Sequence, residues 1–240
     1  PRLIAWLLLP LCVFVATGLR IQTAFDEPAF DTRDPTGMLR SDPALLLYLT
    51  ERLTGPDGTP SDWRADPRVQ HPRTTDIPAE FTVGQEYLVA WAHRLVGGDV
   101  PIHVVATWLM SFSAALSLVG AFLLASAAVR GTRSESSEGS DTSSQGWAGA
   151  TAALLFLLLP ANYRTIGFVM VREDLALPLF ALHLGFLASA LARPSGWRFV
   201  LSGFFLAAAL STWHAMGFLV AIELALLLAW AIASGARPSP

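Results

Sequence analysis

The sequence predicts an all-α fold: a polytopic transmembrane helical bundle with a long, partly helical external loop between the first two spans. Composition and patterning carry this expectation. Hydrophobic residues make up 53% of the 240 and charged residues 15%, whereas a soluble domain carries about 25% charge. Mean hydropathy is +0.48, and the apolar residues are gathered into long runs. A helix rises about 1.5 Å per residue, so about 20 such residues cross roughly 30 Å of hydrocarbon.

Six runs approach that length: residues 3–18, 102–129, 147–160, 175–192, 197–211 and 216–234. The first, third and fifth hold only about 15 to 18 residues and need an extra turn or a thinner bilayer. A cleaved signal peptide is the competing reading of the first, but no clear small-x-small cleavage site follows it. Basic residues favour the cytoplasmic side of short loops. Arg130, Arg133, Arg193, Arg198 and Arg237 fall on one side and only Arg164 and Arg172 in short loops on the other. This places the N-terminus inside and the segment from Arg20 to Val100 outside. The chain thus divides into a first transmembrane helix at 1–19, an external loop at 20–101 and a bundle of about five helices at 102–240. A polar stretch at 131–146 has nothing apolar to bury and is expected to be a disordered cytoplasmic linker.

The external loop is too long for a structureless connection. Two stretches read as helices. One covers 43–53, capped by Ser41-Asp42 with Pro43 in the first helical position and Gly55-Pro56 at its end. The other covers 83–95 and ends at Gly97-Gly98, with Leu88, Trp91, Ala92 and Leu95 on one face. Both are expected to lie in the interface against the bundle, with Trp63 as an aromatic anchor between them.

The remaining composition excludes several classes of function. Net charge is −3 and the pI about 5.9, so there is no basic footprint for nucleic acid. All basic residues are Arg, which removes Schiff-base and P-loop lysine chemistry. The single Cys12 excludes an internal disulfide and a Cys-rich metal site. Gly-x-Ser-x-Gly, Walker and dinucleotide motifs are absent. His71, His93, His103 and His214 are external or at the external boundary of the spans, and their spacing matches no metal-ligand motif. His183 and Glu223 fall inside spans, where a carboxylate costs about 2.5–3.5 kcal/mol and should face the bundle interior or water.

Thirteen of the 19 acidic residues lie in the external loop. Asp42 starts its first helix, and Glu173 and Asp174 start the fourth span on the same side. Each alone is an ordinary helix-end carboxylate, satisfying free N–H groups and the dipole. Together they could share a divalent cation through oxygen ligands, and the cation could hold a substrate diphosphate. Arg164 and Arg172 flank the same segment and could contact phosphate, or simply snorkel to the interface.

The order of these elements resembles a family. Ser41-Asp42-Pro43 is followed by Tyr48 to Leu53, then Trp63 and His71-Pro72. Further on come Pro160 to Thr165, including Tyr163 and Arg164, then Glu173 and Asp174, and finally Ser211-Thr212-Trp213 to Gly217. The series resembles the GT-C class of polyprenyl-dependent glycosyltransferases, most closely the catalytic subunit of oligosaccharyltransferase. The second acidic motif reads Arg172-Glu173-Asp174 here rather than acid-x-acid. The resemblance implies a GT-C-like bundle, with the soluble C-terminal domain that carries the family's acceptor motif expected beyond residue 240.

By the same resemblance, Asp42 is catalytic, binding a metal and orienting the acceptor. Glu173 and Asp174 complete the metal site for Mg2+ or Mn2+. Arg164, Arg172, Trp213 and His214 bind substrate. The expected reaction is inverting transfer of a saccharide from polyprenyl phosphate or diphosphate, most closely to protein asparagine, in a bacterial or archaeal plasma membrane with the active face external. The expected partners are this donor, an acceptor protein or glycan, and membrane lipids, with no nucleic acid. A GT-C transferase acting on a lipid, glycan or hydroxyl, and a non-enzymatic transporter or assembly subunit, are the alternatives.

Overall fold

A computed structural model describes residues 2–38, 42–56, 58–131, 142–159 and 170–235. Among these, ten α-helices account for the architecture: α1 (Arg2–Phe25), α2 (Asp42–Leu53), α3 (Ile77–Glu80), α4 (Gly84–Val96), α5 (Ile102–Ala115), α6 (Ser117–Gly131), α7 (Thr142–Leu158), α8 (Glu173–Ala192), α9 (Gly196–Thr212) and α10 (Met216–Gly235). Strand-type pairing among the described residues is confined to an isolated bridge between Asp66 and Thr75. The all-α expectation holds.

Each expected apolar run forms a helix where it is described, and among the described residues four stretches are long and apolar enough to cross a membrane. These are Ile4–Phe25, Ile102–Arg130, Glu173–Ala192 and Met216–Ala233, and they are compatible with an integral membrane protein. α7 and α9 have 17 residues each, about 25 Å at the helical rise. α1 runs a further two turns past the expected end at residue 18. Its polar residues fit because Thr17 and Thr23 return their hydroxyls to the carbonyls of Val13 and Leu19, at 2.8 and 2.7 Å. The second run breaks at Leu116 into α5 and α6.

The expected linker at 131–146 is also corrected at its end, since residues 142–146 already belong to α7. Polar residues join this helix because α6 gives them partners. Arg130 Nε and Nη2 donate to the Gln145 side-chain carbonyl at 3.1 and 2.9 Å, and the Ser126 hydroxyl donates to the Gln145 backbone carbonyl at 3.0 Å. Residues 132–141 of that linker lie outside the described residues.

The bundle packs as two groups that share α6. Ala5, Leu9, Cys12 and Ala16 of α1 meet Phe122 of α6 and Ala150 and Ala153 of α7. On its other side α6 crosses α8 at two glycines. A Cβ on Gly120 would lie 2.6 Å from the Ala181 backbone, and one on Gly185 would lie 3.0 Å from the Gly120 carbonyl oxygen. The backbones therefore touch, and only hydrogen fits between them.

The segment between α1 and α5 folds into a layer with its own core. Leu49 and Leu53 of α2 pack with Trp63, Ile77 and Ala90 of α4. Trp63 is 4% exposed, so it anchors this layer from within. Asp66, fully buried, organises the polar part. It accepts from the Tyr48 hydroxyl at 2.7 Å and the Arg68 amide at 2.8 Å, with Arg52 Nη1 at 3.7 Å. Burial and the Asp66 carboxylate push the Tyr48 hydroxyl up to about 12.

The apolar face expected on α4 is turned inward only in part, with Leu88 and Ala92 half-buried. Trp91 and Leu95 are 58% and 65% exposed, and the buried face is Gln85, Glu86, Val89 and Ala90. On this face Glu86 reaches Arg172, while Val89 and Ala90 pack into the neighbouring cores.

The glycine crossing generates a prediction. Gly120→Val should destabilise the bundle by about 1–3 kcal/mol through overpacking. Gly203→Ala, with open space around the new methyl, should be neutral or slightly stabilising. Thermal unfolding in detergent measures both, and equal midpoints for the two variants would contradict the backbone contact.

Candidate functional site

The starts of α2 and α8 and the turn between α9 and α10 meet at one end of the bundle. They enclose a cleft of about 460 Å3 whose polar lining is Asp42, Arg172, Glu173, Trp213 and His214. Pro43, Leu45, Leu46, Phe81 and Val171 supply its apolar wall. Five of the seven expected site residues thus share one cavity. Arg164, the sixth, lies outside the described residues, as do Tyr163 and the capping Ser41.

Asp174, the seventh, points elsewhere. Successive helix residues are turned by about 100°, so Glu173 faces the cleft while its neighbour faces the bundle interior. There the Asp174 carboxylate accepts from Arg20 Nη2 of α1 at 2.9 Å, with both side chains under a tenth exposed. Both acids sit in the first turn of α8, where the helix dipole favours negative charge. Asp42 is exposed at the start of α2. Among the described residues no group of three His, Cys, Asp or Glu side chains is close enough to hold a metal ion.

Arg172 lines the cleft but turns its guanidinium into the wall. Nη1 donates to the Thr212 carbonyl at 2.8 Å, to the Thr82 hydroxyl at 2.6 Å and to the Thr82 carbonyl, and Nη2 donates to Glu86 at 3.0 Å. One side chain therefore ties the approach to α4, the end of α9 and the start of α8. The Thr82 hydroxyl also donates to the Thr212 carbonyl at 2.9 Å. Gly84 permits this junction, because a Cβ there would meet the Ser211 carbonyl at 2.7 Å.

Glu86 is wholly buried beneath this clamp. Burial holds its carboxyl up at about 7, outweighing the opposing pull of the Arg172 charge. Among the described residues, its Oε2 and both amide atoms of Gln85 are buried without hydrogen-bond partners. Trp213 follows α9 in extended conformation, its amide donating to the Ala209 carbonyl at 3.1 Å. His214 beside it is exposed. Of the other histidines, His103, at the start of α5, is buried with Nε2 2.9 Å from the Asp31 carbonyl oxygen, and His71 is exposed.

Two residues that shape the site, Arg20 and Glu86, are not among the expected ones. Arg20 carried a signal: it follows Ala16 by one helical turn, and Ala16 is in the core of α1. Glu86 carried a weaker one, since it shares the 86, 89, 90 face with Val89 and Ala90. No protein-family model, curated protein or solved structure matches the chain.

Glu86 gives the site a pH signature. The unfolded chain ionises this carboxyl near 4.5, the folded protein near 7. Between those values the folded state holds a proton the unfolded state has lost. Stability therefore falls as pH rises from about 4.5 to 7, by on the order of 3 kcal/mol in all, and levels off above. Glu86→Gln keeps the acceptor for Arg172 and cannot ionise. Its unfolding midpoint should stay flat across that window, while a wild-type slope in the variant would count against the assignment.

Proposed function

We propose that the chain is a membrane glycosyltransferase that moves a saccharide from a polyprenyl-phosphate or diphosphate donor to an acceptor, by an oligosaccharyltransferase-type mechanism. The observation that carries the reading is the convergence of Asp42, Glu173, Trp213 and His214 on one cleft at the end of helices long and apolar enough to cross a membrane. The amphiphilic character of the lining supports it. Carboxylates and an imidazole face an apolar wall, as suits a sugar phosphate carried on a hydrocarbon chain.

Two hard carboxylates are the protein share that Mg2+ or Mn2+ takes when it keeps its waters and the substrate's phosphate oxygens. Asp42 and Glu173 fit that donor set, and they are the residues that would hold the ion. The ion would supply charge neutralisation at the departing phosphate. Asp42, exposed at the start of α2, also orients the acceptor and takes its proton. Trp213 offers a flat apolar face to a sugar ring, and His214 a hydrogen bond to a hydroxyl or phosphate oxygen. Arg172 adds positive potential behind the cleft while its hydrogen bonds hold the wall in shape. Asp174 supports Glu173 indirectly, by fixing the start of α8 against α1. The acceptor is protein asparagine in the closest version of this reading, and a lipid, glycan or hydroxyl in its sibling.

The test is transfer from a labelled polyprenyl-linked sugar in membranes containing the protein and Mn2+. The wild type should transfer and Asp42→Ala should lose roughly a hundredfold or more. Undiminished transfer by the variant would remove Asp42 from the mechanism. No transfer by the wild type from either donor type would favour the transporter or assembly reading. The proposed orientation has its own measurement. With Cys12 replaced by alanine, a cysteine at the exposed Thr74 should react with an impermeant reagent added from outside, and protection there reverses the topology.

A further inference from the structure

We infer that His183, Ser202 and Glu223 form a buried one-proton site that ties α10 to α8 and α9. The three residues come from three helices and meet part-way along each. Nδ1 of His183 lies 3.0 Å from the Ser202 carbonyl oxygen and 2.8 Å from its hydroxyl. Nε2 lies 2.9 and 3.0 Å from the two carboxyl oxygens of Glu223. The Ser202 hydroxyl is also 3.3 Å from the His183 carbonyl. His183 and Ser202 are buried, and the Glu223 side chain is 12% exposed.

Counting donors and acceptors points to one arrangement of the protons. A carbonyl oxygen only accepts, so a hydrogen on Nδ1 satisfies its 3.0 Å approach to the Ser202 carbonyl, where a bare Nδ1 would set two lone pairs against each other. The Ser202 hydroxyl then directs its own hydrogen to the His183 carbonyl. On the far side of the ring, Nε2 faces two oxygens that carry only lone pairs unless one proton lies between them. That proton sits on Nε2, giving imidazolium and carboxylate, or on Glu223, giving imidazole and carboxylic acid. Both arrangements are neutral overall, and the proton belongs to the pair.

Neutrality matters at this depth. Glu223 is the only charged residue of α10, and His183 lies roughly 14 Å along α8 from Asp174. α9 offers only Arg198, a turn from Ser202, whose Nη1 is engaged with the Ser189 and Arg193 carbonyls at 3.1 and 3.4 Å. α6, packed on α8, carries only Arg130, near its far end, and α5 only His103, at its start. No countercharge among these elements would balance the carboxylate if the shared proton left, and a lone charge there is expensive.

The site also decides where α10 sits. Apart from Glu223, this helix packs through Met216, Leu219 and Val220 near its start. Leu224, Leu226, Leu228, Trp230 and Ile232 are all more than half exposed. Among the described residues, the shared proton is therefore the last polar tie along a helix that packs mainly near its start.

The test uses the full chain in lipid nanodiscs with nitrogen-15 histidine, the His183 signals being identified by their loss in His183→Gln. At pH 7 the wild type should show a protonated Nδ1. Glu223→Gln should leave His183 neutral with the proton still on Nδ1, because the amide N–H can donate to a bare Nε2. In a Cys12→Ala background, spin labels at Val200 and Leu228 should report the same spacing in Glu223→Gln as in wild type, and a broadened spacing in Glu223→Leu. A bare Nδ1 in the wild type overturns the proposal, since the pair would then carry a net charge. An imidazolium that persists in Glu223→Gln overturns it by showing that the proton is histidine's own. An unchanged spacing in Glu223→Leu overturns the tie to α10.

Discussion

The cleft end of the molecule depends on the guanidinium of Arg172. Its four hydrogen-bonding contacts reach Thr82, Thr212 and Glu86, so three chain segments far apart in sequence share one rigid, planar cation. Lysine could not replace it, because a point charge on a flexible stem lacks the fork that meets carbonyl and carboxylate together. Without this clamp the layer built from α2, α3 and α4 would rest on α9 through little more than the Thr82–Thr212 hydrogen bond and the Gly84–Ser211 approach. The wall carrying Phe81 would lose its fixed relation to Trp213 and to Glu173.

A second theme is how a charge-poor chain places the charges it keeps inside. Asp174 with Arg20, Glu86 with Arg172, and Asp66 with Tyr48 and Arg68 are each paired or hydrogen-bonded. Such pairs contribute little net stability once desolvation is counted, but losing one partner is costly. They work as registration devices: each fixes one helix end or loop against another where greasy surfaces alone would let them slide.

Much of this was legible in the sequence, and the failures share a cause. Apolar runs located every long helix, and a Pro after an acid and a Gly-Gly pair located α2 and the end of α4. The ordered positions of Asp42, Glu173, Trp213 and His214 anticipated residues that do line one cleft. What hydropathy cannot see is a polar group with a tertiary partner. That hid part of the inner face of α4, where Glu86 meets Arg172. It hid the start of α7, where Gln145 meets Arg130. It also hid the direction of Asp174, because one residue's step around a helix separates a cleft from a core and only Arg20 reveals which is which.

The Arg20–Asp174 pair carries a consequence for biogenesis. Its partners are 154 residues apart, and chains are synthesised N-terminal end first at about 5–20 residues per second. Arg20 therefore exists for roughly 8–30 s before its carboxylate has been made. During that interval the end of α1 must keep its cation at the water boundary, and it can be drawn into the bundle only when α8 arrives. Closure of the first helix onto the eighth is thus a late step of assembly, and one that finishes the cleft as it completes the bundle.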